Sequence, residues 1–179
     1  SFGNYFGHAT HVVKRTKWSN QFTANYQTTK NNFEYTYRGQ QLTRTNSDVS
    51  LFTLTDNYHL QLNKRVQLNA GFWATLAKRG SPQPVGPSTA PESRLTDENL
   101  KAYISAKVLL NRGGITFVQG FLSENQLFWN NANLDENNST KSWVTKANYR
   151  VATKNAQWQF MGGLENIWVT ANGDNKTDA

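Results

Sequence analysis

The chain has 179 residues, 13% of them aromatic and 17% charged, with a formal charge of +7 and no cysteine. The length allows one domain. The missing thiols exclude a disulfide scaffold and a thiolate metal site. The aromatic content excludes a disordered polar chain, and no run approaches the ~20 apolar residues of a membrane helix.

Strands are predicted over residues 4–14, 18–37, 47–62, 66–78, 100–110, 115–129, 142–152 and 157–170. In "WSNQFTANYQT", Trp18, Phe22, Ala24 and Tyr26 share one parity, and Ser19, Gln21, Thr23, Asn25 and Gln27 the other. A period of two is the mark of a two-faced strand. Farther along the second strand the phase changes. Phe33, Tyr35 and Tyr37 take the parity opposite to Phe22 and Tyr26, so this half is expected to project beyond any membrane. "SLFTLTDNYHLQL" then sets Phe52, Leu54, Tyr58 and Leu60 against Thr53, Thr55, Asn57 and His59. Asp56 falls on the apolar parity. This predicts a local bulge, an interfacial position, or a local failure of the barrel pattern, since a carboxylate in mid-bilayer is unfavourable.

The alternation continues through Leu68, Ala70, Phe72, Ala74 and Leu76, then Leu100, Ala102, Ile104, Ala106 and Val108. It closes with Trp143, Ala147, Tyr149 and Val151, and with Trp158, Phe160 and Leu164. The intervening positions hold Asn, Gln, Thr and Ser, with few charges. Short turns are predicted at Arg15–Lys17, Asn63–Arg65, Asn111–Gly114 and Thr153–Ala156. Long polar loops are predicted near Arg38–Asn46, Arg79–Asn99 and Asn130–Lys141, with a polar tail from Ala171. This is an antiparallel meander with short turns at one end and long loops at the other.

Soluble sandwiches usually fill their inner face with Val, Ile and Leu and their outer face with Lys and Glu. Here the polar face is rich in amides, and the apolar face carries Trp and Tyr near strand ends. That is the pattern of an outer-membrane barrel, with lipid outside and water inside. The expected lipid-facing residues are Trp18, Phe22, Tyr26, Phe52, Leu54, Tyr58, Leu60, Leu68, Phe72, Ile104, Val108, Trp143, Tyr149, Trp158 and Phe160. Gln21, Asn25, Asn69 and Lys107 are expected to line the lumen.

Three stretches carry a family resemblance: "SFGNYFGHATHVV", "NNFEYTYRG" leading to "RTNSDVSLFTL", and "KRGSPQPVGPSTAPESRLTDENLKAYISAKV". In order and spacing the chain resembles part of the barrel of a TonB-dependent outer-membrane receptor, of the kind found in Bacteroidetes. The resemblance implies a barrel of about 22 strands around a plug, of which residues 1–179 are one partial barrel domain. It also implies an outer membrane of a Gram-negative bacterium, a TonB complex acting through the plug, and a surface lipoprotein as partner. The imported ligand would be large and scarce, of the cobalamin or siderophore type. Two alternatives remain: a complete eight-stranded barrel serving as adhesin or structural protein, and a soluble β-sandwich that binds carbohydrate.

No residues form a catalytic pattern. His8 and His11 are three apart, so a strand points them to opposite faces. There is no His-Glu-x-x-His helix, P-loop, nucleophile elbow or dinucleotide fingerprint, and a non-enzyme is expected. "NNANLDENN" and "NGDNKTD" carry oxygens that suit Ca²⁺, but neither has the spacing of a calcium loop. No cofactor is expected. The candidate ligand-binding residues are aromatics and cations where polar faces meet long loops: Tyr35, Tyr37, Arg38, Arg44, Arg79, Arg94, Tyr103 and Trp129. Aromatic rings with cations suit a large amphipathic ligand. The basic residues form no stripe, so nucleic acid is not an expected partner. The cluster Lys14, Arg15 and Lys17 lies in a turn and reads first as solvated charge; lipid or lipopolysaccharide headgroups become its partners if that turn meets a membrane surface.

Overall fold

The computed structural model describes residues 3–81, 93–130, 133–152 and 159–175. Among the described residues all the regular structure is extended. The strands are β1 (Asn4–Lys14), β2 (Trp18–Thr29), β3 (Phe33–Tyr37), β4 (Gln40–Arg44), β5 (Val49–Gln61), β6 (Val66–Ser81), β7 (Ser93–Leu110), β8 (Gly113–Asn130), β9 (Asn133–Ala152) and β10 (Gln159–Asn175). One antiparallel sheet runs β1-β2-β5-β6-β7-β8-β9-β10, and β3-β4 forms a separate hairpin. The sheet is open, with β1 and β10 as its two edges.

Local chemistry explains the punctuation. Asn63 Oδ1 accepts the backbone N–H groups of Arg65 (2.8 Å) and Val66 (3.0 Å), which folds the β5–β6 turn around its side chain. In the β3–β4 turn Arg38 has φ 49° and Gly39 φ 77°. Two central residues in the left-handed region match the twist of the flanking strands, and glycine takes that conformation without strain.

Several expected boundaries shift. The predicted strand 18–37 ends at Thr29, and its out-of-phase half becomes β3 of the hairpin. This explains the phase change: the two halves belong to different sheets. The expected loop at Asn130–Lys141 is instead a strand, because β9 begins at Asn133 and pairs with β8 along its length. β7 starts at Ser93, well inside the predicted loop Arg79–Asn99, and β10 runs to Asn175, into the predicted tail. In each case polar residues that read as loop are held in the ladder by backbone pairing, which does not depend on side-chain polarity. The turn Thr153–Ala156, the stretch 82–92 and Trp158 lie outside the described residues.

Residues directly opposite in a ladder share a face. The register therefore sorts the whole sheet. One row reads Trp18, Leu60, Leu68, Ala106, Phe117, Ala147 and Leu164; another reads Phe22, Asp56, Phe72, Ala102, Phe121, Trp143 and Trp168. The residues expected to face lipid, Trp158 aside, all fall on this single apolar face. The opposite, amide face has rows such as Ser19, His59, Asn69, Ser105, Val118, Lys146 and Glu165. His8 and His11 fall on opposite faces, opposite Asn25 and Phe22.

The described residues do not cover the apolar face. Among the described residues no hydrophobic side chain is buried. The chain exposes 12891 Å², where a compact protein of this mass would expose roughly 8,800 Å². A single layer open on both sides accounts for the excess.

Candidate functional site

Two regions gather chemistry: the end of the sheet opposite the short turns, and a depression on the amide face. At the first, the chain leaves β2 through Asn31 (φ 44°) and re-enters at Asn46 (φ 54°). Asn tolerates the left-handed region better than most residues. Asn46 is buried, and its Nδ2 donates to the carbonyls of Ser81 (2.9 Å) and Ser93 (2.8 Å). It thereby clamps the facing ends of β6 and β7. The backbone of Asn46 lies so close to Gly80 that a Cβ there would collide with it. Arg94 Nη1 donates to Asn46 Oδ1 at 3.3 Å, and Arg94 also pairs with Asp48. Nearby, Arg79 forms an ion pair with Asp97 (3.1 Å), which also accepts from Gln126 Nε2 (3.1 Å).

The β3–β4 hairpin lies in the chain between Asn31 and Asn46. Its register places Phe33, Tyr35, Tyr37, Leu42 and Arg44 on one face and Glu34, Thr36, Gln41 and Thr43 on the other. Arg44 lies over the Phe33 ring (5.8 Å) and Arg38 over the Tyr37 ring (5.3 Å). These cation–π pairs hold the aromatic face together without a core beneath it.

The amide face holds the second region. Trp73, Thr75, Asn99, Lys101 and Glu124 line a depression of about 210 Å³. Trp73 is 53% exposed. Its Nε1 donates to Thr75 Oγ1 at 2.8 Å, and Lys101 Nζ stands 6.0 Å from the ring centre. An exposed indole, an ammonium and a carboxylate on one polar wall can hold a flat polar ligand by stacking and by charge-assisted hydrogen bonds. Farther along the same face polar side chains bond to one another: His59 Nδ1 pairs with Asn69 Oδ1 (2.7 Å), and Asn69 Nδ2 donates to Ser105 Oγ (3.3 Å).

The residues expected to bind ligand are therefore only partly brought together. Tyr35, Tyr37, Arg38 and Arg44 share the hairpin. Arg94 is at the clamp, and Trp129 is its ladder partner on β8, beside the register shift at Phe128/Trp129. Arg79 is tied to Asp97 on the amide face. Tyr103 is not at a rim: it lies mid-strand on β7, its ring over Gly71, where a Cβ would meet Cε1 at 2.7 Å. Asn46, Trp73, Lys101 and Glu124 were not foreseen. Trp73 had a visible signal, a lone tryptophan on an otherwise polar parity. Among the described residues no three His, Asp or Glu side chains gather as a metal cluster.

No family model matches the chain, and no curated protein matches it.

Proposed function

We propose that this chain is a segment of a transmembrane β-barrel in a Gram-negative outer membrane, and that the barrel is a TonB-dependent receptor. The observation that carries the membrane reading is the apolar face. Its apolar runs are Trp18–Tyr26, Phe52–Leu60, Leu68–Leu76, Leu100–Val108, Trp143–Val151 and Phe160–Trp168. Each is about nine residues, close to the ~9–11 that a tilted strand needs to cross a bilayer. Within these runs the one charged residue on that face is Asp56. Aromatic residues border them: Trp18 stacks on Tyr58 (6.0 Å) at one edge, and Phe121 packs on Trp143 (4.5 Å) at the other. Such borders suit the two bilayer interfaces.

The band also slants against the ladder. Its upper edge starts on the row of Tyr26, Phe52 and Leu76 and ends on the row of Phe121, Trp143 and Trp168, to which Phe22 belongs. Its lower edge moves the same way, from the row of Trp18 to that of Val151 and Phe160. A level hydrocarbon slab across tilted strands produces such a drift.

The receptor reading rests on the sequence resemblance. In it the hairpin, the Asn46 clamp and Trp129 stand on the ligand-facing rim, the amide face packs against a plug, and the cargo is of the cobalamin or siderophore type. The chain itself catalyses nothing. Fractionating cells that express the chain in its natural context tests this. The expected result is recovery with the outer membrane, and ligand uptake that stops when the inner membrane is de-energised. Recovery in the soluble fraction would overturn the membrane reading; uptake indifferent to energy would overturn the receptor reading alone.

A further inference from the structure

The short-turn end of the sheet differs in charge from the other end. Lys14, Arg15 and Lys17 surround the β1–β2 turn, Lys64 and Arg65 sit in the β5–β6 turn, and Arg112 sits in the β7–β8 turn. All six are exposed. None of these turns, nor the strand ends that adjoin them, contains an Asp or Glu. The opposite end carries both signs: Glu34, Asp48, Asp97, Glu98 and Glu136 lie there among its cations. Among the described residues, the six cations of the short turns take part in no ion pair.

These turns form one continuous edge. Gln61 N donates to Lys17 O (2.6 Å), Leu109 N to Arg65 O (2.7 Å), and Arg65 Nη2 to Asn111 Oδ1 (3.3 Å). With strands about 4.8 Å apart, successive turns stand roughly 10 Å from one another. Just inside this edge, on the apolar face, lies the aromatic border of Trp18, Tyr58, Phe117, Tyr149 and Phe160.

We propose that this edge is a binding surface for anionic phospholipid headgroups, with Lys14, Arg15, Lys17, Lys64, Arg65 and Arg112 as the cations that meet the phosphates. The inference rests on the membrane reading above. Two features of this edge select a lipid occupant. The cations are unneutralised by protein, and they lie immediately outside an aromatic border that itself favours the interface. Long Lys and Arg stems can cover apolar surface while their charged ends reach the headgroups. Attraction of this kind is screened by salt over about 10 Å.

The test is co-sedimentation of the full chain with vesicles of phosphatidylcholine alone and with vesicles that also contain phosphatidylglycerol, at low and high salt. One variant combines Arg15→Gln, Lys64→Gln and Arg112→Gln. A second, matched in charge, combines Lys30→Gln, Arg38→Gln and Lys78→Gln at the opposite end. The expected result is tighter binding to the anionic vesicles, an advantage lost at high salt, and a loss on the order of tenfold to a hundredfold in the turn variant alone. Equal binding to both vesicle types overturns this proposal and leaves the membrane reading standing. Equal losses in the two variants also overturn it, because net charge would then suffice. Binding to neither vesicle type overturns both readings. Tighter, turn-dependent binding to duplex DNA than to anionic vesicles would assign the basic edge to a different partner and overturn it too.

Discussion

Asp56 lies in the middle of the apolar face, and the ladder passes through it without a bulge, pairing it with Phe22 and Phe72. What makes it tolerable is Asn20 on the neighbouring strand, whose Nδ2 donates to the carboxylate. The parity of Asp56 could be read along the chain, but its partner could not, because Asn20 is 36 residues away and only the register joins them. Removing Asn20 alone should therefore cost more than removing both. Asn20→Leu is expected to destabilise by about 1–3 kcal/mol, the cost of a part-buried polar group left without its partner. Asp56→Leu should be neutral or stabilising, and the double variant should recover most of the loss; urea unfolding in lipid vesicles measures all three. Asn46 gives a second case. It bridges two backbone carbonyls across the β6–β7 pair, so Asn46→Ala should speed amide exchange at Gly80 and Arg94 while leaving β1 and β2 unchanged.

At the scale of elements, backbone pairing and side-chain pattern are separate sources of information. β1 ends where alternation predicts, at Lys14, because the cationic turn follows at once. β9 starts far earlier than predicted, because "NLDENNST" has no apolar alternation and still pairs with β8. Alternation reports which residues meet an apolar medium; it is silent about strands that continue beyond it. The β3–β4 hairpin is hidden in the sequence for a related reason. Its Arg38-Gly39 turn lacks the usual Asn-Gly or Asp-Gly pair, so the two short strands read as one strand and a loop. Gly39→Val should open this hairpin, read as lost exchange protection in β3 and β4, and leave the β2–β5 ladder intact. Within the sheet the two faces should respond oppositely to charge. Ile104→Arg is expected to cost about 2–4 kcal/mol in a bilayer. Ser105→Arg, its neighbour on the amide face, should cost far less. Unfolding titrations of both in vesicles check the difference.

At the scale of the whole molecule, the main sheet carries two unlike surfaces, and among the described residues no hydrophobic side chain is buried. Composition alone signals this: many aromatics, many amides and few charges cannot form an ordinary core with a charged shell. That the sheet ends in open edges at β1 and β10 was not legible, because the pattern of each strand is the same in an open and a closed ladder. The candidate site was legible only in part, since Trp73, Lys101 and Glu124 come from three strands and meet through register. The claim on which the rest stands is that hydrocarbon solvates the apolar face. Single cysteines can be placed along β6 without a competing thiol, because the chain has none. Labelled with a fluorophore at Asn69, Ala70, Phe72, Trp73, Ala74 and Thr75 in turn, the chain should be quenched by brominated lipid at Ala70, Phe72 and Ala74 and spared at Asn69, Trp73 and Thr75. Quenching that ignores this alternation, or that is absent at all six positions, would contradict the account.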